Sequence, residues 1–244
     1  MARIRGPIVS PLPGEGEWPI LNRQVFGSMA IGGWHSAPSP QGVPLNFEAI
    51  FGRVAPLTLE IGFNRGDFIR ELALRRPDQD HLGIEIRRRF AYGVAHGLGQ
   101  SGGPLNVRVI WGDAKLVAPA AFGDRGVADL FVLFPDPWWK KKHEKRRLID
   151  ESFGSSLIDL LAPGGSLWIK TDVPDIALEI REAVALDPRA GEPVPFEVDT
   201  LPLTRRERSC LASGRPIERF RFVKRLDEMS MTVQGVGEGS RSST

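Results

Sequence analysis

The fold is decided by the stretch Leu57-Thr58-Leu59-Glu60-Ile61-Gly62-Phe63-Asn64-Arg65-Gly66. Its first half is a largely apolar run that predicts a β-strand, and its second half is a loop with glycine at both ends. Residues 67–76 follow with helical periodicity, and their predicted apolar face consists of Phe68, Ile69, Leu72 and Ala73. A strand, a glycine loop and a helix in this order are typical of an α/β protein with a parallel sheet.

The same alternation of strand and helix continues along the chain. Further strands are predicted at 81–86, 106–112, 129–134, 166–171, 195–201 and 217–223, and further helices at 90–98, 148–161 and 176–184. Short connections between such elements predict a doubly wound, mostly parallel seven-stranded sheet. The near-continuous apolar run at 129–134 is typical of a central strand covered on both faces. No helix is predicted between the last two strands, which indicates an antiparallel edge strand.

Composition predicts one globular domain with irregular ends. The chain has 244 residues, of which 41% are hydrophobic and 25% charged, enough to form a sizeable core. Residues 1–45 contain 14 Gly and Pro residues, which predicts an irregular Gly/Pro-rich N-terminal arm. The α/β domain is predicted over 46–230, and residues 231–244 are predicted to form a flexible C-terminal tail.

Several classes of protein are excluded by simple patterns. Cys210 is the only cysteine, so the chain can form no intrachain disulfide, and a thiolate zinc site is not expected. The longest strongly apolar run, 130–134, is too short to span a membrane, and no apolar run follows Arg3 and Arg5 as in a signal peptide. A P-loop is excluded because no Gly-Lys-Ser/Thr is present. We therefore expect a soluble cytoplasmic protein that binds neither a metal ion nor a membrane.

One carboxylate stands at or near the C-terminal end of each of the first five predicted strands. The five are Glu60, Glu85, Asp113, Asp136 and Asp172. Ligands of open α/β sheets bind outside these strand ends, so the five acids are expected to face one crevice. Each of them needs a partner, because an unpaired carboxylate is costly to desolvate. The alternative for any single acid is that it caps a helix or pairs with an arginine.

The glycine loop and Glu85 suit a cofactor that contains a nucleoside. Gly62 and Gly66 permit a tight turn and a close approach of the backbone to a ligand. Their Gly-x-x-x-Gly spacing differs from the Gly-x-Gly-x-x-Gly of dinucleotide sites. Glu85 lies 19 residues after Gly66, where an acid can accept hydrogen bonds from both hydroxyls of a ribose. Nicotinamide and adenosylmethionine sites share that last feature, which therefore does not distinguish them.

A more specific signal is the sequence Phe134-Pro135-Asp136-Pro137-Trp138-Trp139. Two prolines stiffen the backbone around the acid, and an aromatic pair follows. Such a loop at the end of a central strand suits a flat base, although a structural turn with core tryptophans is the alternative. Residues 140–147 then carry six basic groups and one acidic group. This run indicates a phosphate-contacting surface more strongly than a solvated face or a nuclear-localisation signal.

In order and spacing, these motifs resemble those of the bacterial tRNA (guanine-N7-)-methyltransferase family from about residue 47 to 225. The resemblance is carried by Leu59–Phe63 with Gly66, Gly83–Glu85, Asn106–Val109, Gly112–Ala114, Phe134–Trp138, residues 140–143 and 145–147, Lys170–Asp172, Leu203, Thr204, Glu207 and Arg208. It implies a Rossmann-like class I methyltransferase fold. It also implies an enzyme that uses S-adenosylmethionine to methylate N7 of a variable-loop guanosine in tRNA. Two residues depart from the family pattern: Asn64 replaces a middle glycine, and Trp139 replaces a residue that is commonly smaller or polar.

The resemblance further implies roles for individual residues of this chain. With the loop glycines, the cofactor-binding set is Glu60, Gly62, Gly66, Glu85, Asp113 and Asp136. The substrate-binding set is Lys140, Asp172, Thr204 and Glu207, and the expected RNA contacts are Lys141, Lys142, Lys145, Arg146 and Arg147. Guanine N7 has a free lone pair, so methyl transfer needs alignment rather than a general base. We expect Asp136 to be the catalytic residue, because a fixed carboxylate stabilises the positive charge that moves toward the purine.

The charge distribution supports an RNA partner, although the net charge of the chain is only +2. Residues 140–147 have a net charge of +5 and residues 201–225 one of +6, so the rest of the chain is acidic. Both basic segments flank the expected guanine pocket. The alternatives are a small-molecule methyltransferase on the same fold, a nicotinamide-dependent oxidoreductase, and an RNA-binding protein without catalytic activity. Whether the protein is a monomer or a homodimer stays open.

Overall fold

The computed structural model of the protein describes residues 44–98, 103–122, 126–139 and 147–226. Within them the strands are β1 Leu57–Ile61, β2 Asp80–Glu85, β3 Val107–Trp111, β4 Val127–Leu133, β5 Leu161–Thr171, β6 Val194–Pro195 and β7 Glu218–Val223. The helices are α1 Phe47–Phe51, α2 Asp67–Arg75, α3 Arg88–Leu98, α4 Ala114–Phe122, α5 Glu151–Asp159, α6 Pro174–Ala185 and α7 Arg205–Ala212. The predicted C-terminal tail and almost all of the predicted N-terminal arm lie outside the described residues.

The sheet confirms the predicted doubly wound α/β fold. Its strand order is β3-β2-β1-β4-β5-β7-β6. Strands β1 to β5 are parallel, whereas β7 pairs antiparallel with both β5 and β6. From β1 the chain forms β2 and then β3 on one side of the sheet, and it crosses to the other side of β1 to form β4 and β5. A crevice is therefore expected where these two central strands end.

Helices cover both faces of the sheet. Leu130 of β4 packs into a core that includes residues of α1, α4, α5 and α6. Its neighbour Phe131 points to the opposite face, where its ring lies 5.2 Å from that of Phe68 in α2 and 6.1 Å from that of Trp168 in β5. This alternation explains why β4 is apolar on successive residues. In the four described segments, no helix is long and apolar enough to cross a membrane.

The C-terminal part of the sheet differs in detail from the prediction. The strand predicted at 195–201 is only Val194–Pro195, and a short 3-10 helix follows at Val198–Thr200. The prediction of no helix between the last two strands is wrong, because α7 lies between β6 and β7. This helix begins with a capping box, in which the Thr204 hydroxyl accepts a hydrogen bond from the Glu207 amide at 3.0 Å. The antiparallel edge itself is confirmed.

Helix caps explain two further differences from the predicted elements. The periodicity does not predict α4, which contains Pro119, a residue that lacks the amide a helix interior requires. The Asp113 carboxylate nevertheless starts this helix by accepting from the Lys115 amide at 3.0 Å. Asp150 likewise accepts from the Phe153 amide at 2.9 Å, and α5 therefore begins after it rather than at residue 148.

His81 is buried near the N-terminal end of β2, away from the crevice. Its Nδ1 lies 2.6 Å from the Thr58 hydroxyl and its Nε2 lies 3.3 Å from the Arg76 carbonyl oxygen, contacts that suit a neutral ring. Burial lowers the pKa of His81 from 6.5 to about 4. Below pH 6.5 the unfolded chain binds a proton at this histidine that the folded chain excludes. Stability is therefore lost as the pH falls from about 6.5 to about 4.

We predict that His81 alone lowers the free energy of unfolding by about 2 kcal/mol between pH 7 and pH 5. Urea denaturation at the two pH values measures this change, with His81→Asn as the reference because it removes the titrating ring. The decrease in the wild type should exceed that in the variant by the stated amount, since the other titrating groups are common to both. Equal decreases would contradict a neutral, buried His81.

Candidate functional site

A cavity of about 980 Å³ opens at the C-terminal ends of β1 to β5. All five predicted carboxylates line it, namely Glu60, Glu85, Asp113, Asp136 and Asp172. The parallel strands bring them together because each acid stands within three residues of the C-terminal end of its strand. Gly62, Thr204 and Arg147 also line the cavity, whereas Gly66 and Glu207 do not. The crevice expected from the sequence is therefore present.

The glycine loop turns sharply at the end of β1. Gly62 and Gly66 have φ values of +80° and +74°, which favour glycine. A Cβ atom at Gly62 would meet no atom within 4 Å, so the backbone there is open, whereas one at Gly66 would lie 2.8 Å from Val94. Asn64 has a φ of +52°, and asparagine is one of the side chains that tolerate this region. Asn64 therefore preserves the turn although it departs from the family pattern.

Glu85 and Glu60 differ in how their carboxyl groups are satisfied. Glu85 accepts hydrogen bonds from the backbone amides of Asn64 and Arg87, each at 2.8 Å, and so ties the glycine loop to the end of β2. Burial raises the pKa of Glu85, and the two amides oppose that rise. The buried Oε2 of Glu60 has no hydrogen-bond partner among the described residues. Burial, with the charges of Glu85 and Asp67, raises the pKa of Glu60 to about 8.

The segment Phe134–Trp139 follows β4 in a constrained conformation. Phe134 and Trp138 have φ values of +54° and +45°, a region that bulky residues rarely adopt. The Phe134 amide donates to a carbonyl of β5 at 2.7 Å. Further along, Nε of Arg147 donates to the Pro137 carbonyl at 3.1 Å. Together with the two prolines, these contacts hold the segment near both ends.

Asp136 forms an ion pair with Arg87 across the cavity. Nη2 of Arg87 lies 2.7 Å from Oδ2 of Asp136, and both side chains are about half exposed. Because β2 and β4 flank β1, this ion pair bridges the strand end that carries the glycine loop. Arg87 is a residue that the sequence reasoning misses. Nothing in the run of three arginines at 87–89 indicates which of them reaches Asp136.

Asp172 lies among arginines beside the start of α7. Nη2 of Arg206 is 2.6 Å from its carboxylate and Nη1 of Arg215 is 3.5 Å away. Burial alone would raise the pKa of Asp172, but the hydrogen bond from Arg206 keeps it below its usual value. The carboxylate is therefore ionised at neutral pH. Arg206 also lines the cavity, although it is not among the predicted site residues. The sequence signal that could have indicated it is its position two residues after Thr204, a predicted substrate-binding residue.

Glu207 is not brought to the cavity, contrary to the expectation of a direct substrate contact. Its fully buried carboxylate lies 2.7 Å from Nζ of Lys170 and 3.1 Å from Nε of Arg219. The physical reason is that a buried carboxylate requires cationic partners, and β5 and β7 supply them. Through the capping box Glu207 also binds the backbone of Thr204, which does line the cavity. Glu207 therefore fixes a wall of the cavity rather than forming part of its surface.

Most of the predicted RNA-contacting run lies outside the described residues, as does the predicted substrate contact Lys140. The predicted RNA contacts outside the described residues are Lys141, Lys142, Lys145 and Arg146. Arg147 is described, and its guanidinium lies 2.5 Å from the Glu179 carboxylate besides binding the Pro137 carbonyl. Its contact with RNA stays a prediction.

Asp113 both faces the cavity and caps a helix, two roles that the sequence analysis gives as alternatives. It lines the cavity, and it also caps α4 through the Lys115 amide. Despite the five acids, no group of three or more His, Cys, Asp or Glu side chains in the described part of the chain is arranged to hold a metal ion.

Comparison with protein families and sequences gives consistent results. A family model described as "Putative methyltransferase" matches residues 54–218. The tRNA (guanine-N(7)-)-methyltransferase of Myxococcus xanthus is 37% identical over 189 residues, which cover 75% of this chain and 91% of that protein. The tRNA (guanine-N(7)-)-methyltransferase of Anaeromyxobacter dehalogenans is 42% identical over 197 residues, which cover 77% of this chain and 96% of that protein.

Solved structures with a similar fold are also methyltransferases. The 16S rRNA methyltransferase KamB matches with a TM-score of 0.53 and 15% identity, covering 74% of this chain and 92% of that chain. An antibiotic-related methyltransferase matches with a TM-score of 0.54 and 17% identity, covering 75% of this chain and 95% of that chain. At these identities the likeness concerns the fold, which is that of class I methyltransferases. The family model and the two relatives show that the chain belongs to the tRNA (guanine-N(7)-)-methyltransferase family.

Proposed function

We propose that the protein transfers a methyl group from S-adenosylmethionine to N7 of a variable-loop guanosine in tRNA. The observation that carries the proposal is the convergence of five strand-end carboxylates and the segment Phe134–Trp139 on one cavity, in a chain of this family. A cavity of about 980 Å³ is large enough for a nucleoside cofactor and a purine base.

The residues around the end of β1 fit S-adenosylmethionine. Glu60 offers a buried carboxyl oxygen without a partner among the described residues, and the backbone at Gly62 leaves open space beside it. Glu85 stands at the end of β2, where an acid suits the hydroxyls of a ribose. With Asp113 and Asp136, these residues form the proposed cofactor site, and Gly66, which does not line the cavity, contributes the turn of the loop. When bound, the cofactor supplies an electrophilic methyl group on a positively charged sulfur.

Asp136 is proposed to be the catalytic residue. Guanine N7 needs no general base, so the task of the protein is to align the base and to stabilise positive charge as it moves toward the purine. The Asp136 carboxylate provides negative charge at a constrained backbone. Both side chains of its ion pair with Arg87 are about half exposed, so breaking the pair costs about 1 kcal/mol or less. The carboxylate is therefore available to face a bound base.

Asp172 and Thr204 are proposed to recognise the guanine. An ionised carboxylate at Asp172 can accept hydrogen bonds from the Watson–Crick edge of guanine, whereas adenine offers a different pattern of donors. Glu207 contributes by holding Thr204 in place. A guanine within folded RNA must leave its stack before it can enter the cavity. The proposed contacts with phosphates or other parts of the RNA are Lys140, Lys141, Lys142, Lys145, Arg146 and Arg147.

Binding of the cationic cofactor is predicted to release about one proton from Glu60 at pH 7. The reason is that Glu60, with a pKa of about 8, is mainly protonated in the free protein and ionises when a positive charge is placed nearby. Isothermal calorimetry in buffers of different ionisation enthalpy measures the release. The Glu60→Gln variant, which keeps the neutral shape of the side chain, should release none from this position. Binding heats that are the same in all buffers for the wild type would contradict the prediction.

Methyl transfer from labelled S-adenosylmethionine tests the proposed function against its alternatives. The wild type is incubated with mixed tRNA and, separately, with small-molecule acceptors. Labelling of tRNA alone supports the proposal, whereas labelling of small molecules alone would favour a small-molecule methyltransferase. Titration with S-adenosylmethionine and with a nicotinamide cofactor tests the remaining alternatives, since an oxidoreductase would bind the second and a non-catalytic RNA-binding protein neither.

A further inference from the structure

Trp139 exposes its indole at the rim of the cavity. Trp139 is 73% exposed, whereas every other Phe, Tyr and Trp residue in the described part of the chain is largely buried. A single exposed apolar side chain needs no special explanation on most surfaces. This one, however, lines the same cavity as Asp136 and stands three residues after it. An exposed tryptophan at a ligand cavity indicates that a bound ligand covers its indole.

The backbone that presents Trp139 is braced by its neighbours. Trp138 has a φ of +45°, which a bulky residue adopts only where surrounding contacts impose it. One such contact is the hydrogen bond from Arg147 to the Pro137 carbonyl. Arg147 is in turn held by two hydrogen bonds to the carboxylate of Glu179, at 2.5 and 2.6 Å. The indole is therefore carried by a constrained segment, which reduces the entropy that would be lost on binding.

The surroundings of Trp139 favour a nucleic acid as the partner. Arg205 and Arg206 line the same cavity, and residues 140–147 of the sequence carry six basic groups. An exposed π-face in a cavity that also has cationic side chains is the chemistry that binds an unpaired base together with its phosphate. A protein or membrane contact would require a larger apolar patch than one exposed indole.

We propose that the Trp139 indole is a stacking platform for an unpaired nucleobase of the RNA substrate. The inference rests on the proposed function for the identity of that substrate. Stacking on the indole face is tolerant of base identity, because every base has a π-face. Trp139 thus contributes affinity and positioning, while recognition of guanine remains with Asp172 and Thr204.

Equilibrium binding of tRNA to four variants tests the proposal. The variants are Trp139→Ala, Trp139→Leu, Trp139→Phe and the control Leu105→Ala. Leu105 is 88% exposed and does not line the cavity. Trp139→Ala and Trp139→Leu are expected to raise the Kd for tRNA about five- to hundredfold, because neither side chain has a π-face. Trp139→Phe, which retains an aromatic ring, should raise it less, and Leu105→Ala should leave it within about twofold of the wild type.

Two further readouts separate stacking from a structural or electrostatic role. The slope of log Kd against log salt concentration should be the same in Trp139→Ala as in the wild type, because no charge is removed. The affinity for S-adenosylmethionine should also be unchanged, since Trp139 is not one of the residues of the proposed cofactor site. Circular dichroism verifies the fold of each variant, and Trp139→Leu preserves apolar bulk if Trp139→Ala does not fold.

The proposal is overturned if the Kd of the alanine and leucine variants stays within about twofold of the wild type, or if Trp139→Phe loses as much affinity as they do. A changed salt slope would also overturn it. Failure of the proposed function looks different, because a wild type that binds tRNA without methylating it still allows the stacking comparison. A wild type that does not bind tRNA contradicts both.

Discussion

Replacing Asp136 with alanine is expected to lower kcat for tRNA methylation about a hundred- to thousandfold. The variant lacks the negative charge that stabilises positive charge on the purine as the methyl group is transferred. Its fold should be unchanged, because the Asp136 side chain is 57% exposed and Arg87 remains solvated without it. Single-turnover methylation of tRNA with labelled S-adenosylmethionine measures the rate, and circular dichroism measures the fold.

Two variants control for shape and for loss of charge elsewhere. Asp136→Asn retains the size of the side chain without its charge, so it should lose nearly as much activity as Asp136→Ala. Asp175→Ala removes another exposed aspartate, which lies on α6 and does not line the cavity, and it should retain full activity. Full activity in Asp136→Ala would reject the catalytic assignment.

Replacing Glu207 with glutamine is expected to lower the free energy of unfolding by about 3–5 kcal/mol. The substitution leaves the buried Lys170 and the largely buried Arg219 without the carboxylate that both of them bind. Burial already lowers the pKa of Lys170, although the hydrogen bond that Lys170 donates to Glu207 opposes the effect. Urea denaturation at pH 7 measures the loss.

A double variant and an exposed ion pair serve as controls. Lys170→Met combined with Glu207→Gln should cost less than the sum of the two single changes, because the variant removes a buried charge of each sign. Arg205→Gln, also on α7, breaks an exposed ion pair with Asp67 and should cost less than about 1 kcal/mol. A Glu207→Gln variant as stable as Arg205→Gln would contradict the structural role assigned to Glu207.

The positions of the five acids at the cavity are predictable from the sequence for a simple physical reason. Each strand is a short apolar run with a carboxylate within three residues of its C-terminal end, and parallel pairing brings those ends to one edge of the sheet. The segment Phe134–Trp139 is recognisable in the same way, because its chemistry lies in adjacent residues. Features that depend on a few neighbouring residues are therefore predictable from the sequence.

Contacts between distant elements are not predictable in this way. Arg87 and Asp136 are 49 residues apart, and Lys170 and Glu207 are 37 residues apart. The spacing of Thr204 and Glu207 is that of a capping box, but no local pattern shows that Lys170 and Arg219 bind the glutamate in the interior. The prediction also makes β6 too long and misses α7, although the capping box of Thr204 and Glu207 at the start of this helix is a local signal.

Mapping the methylated nucleoside tests directly whether the protein methylates N7 of a variable-loop guanosine. Mixed tRNA lacking the modification is incubated with the purified protein and S-adenosylmethionine, digested, and analysed by mass spectrometry at nucleotide resolution. We predict N7-methylguanosine in the variable loop with the wild type and none above background with Asp136→Ala. A methyl group on another atom or outside the variable loop would contradict the proposed function. So would tRNA that stays unmodified although the protein binds S-adenosylmethionine.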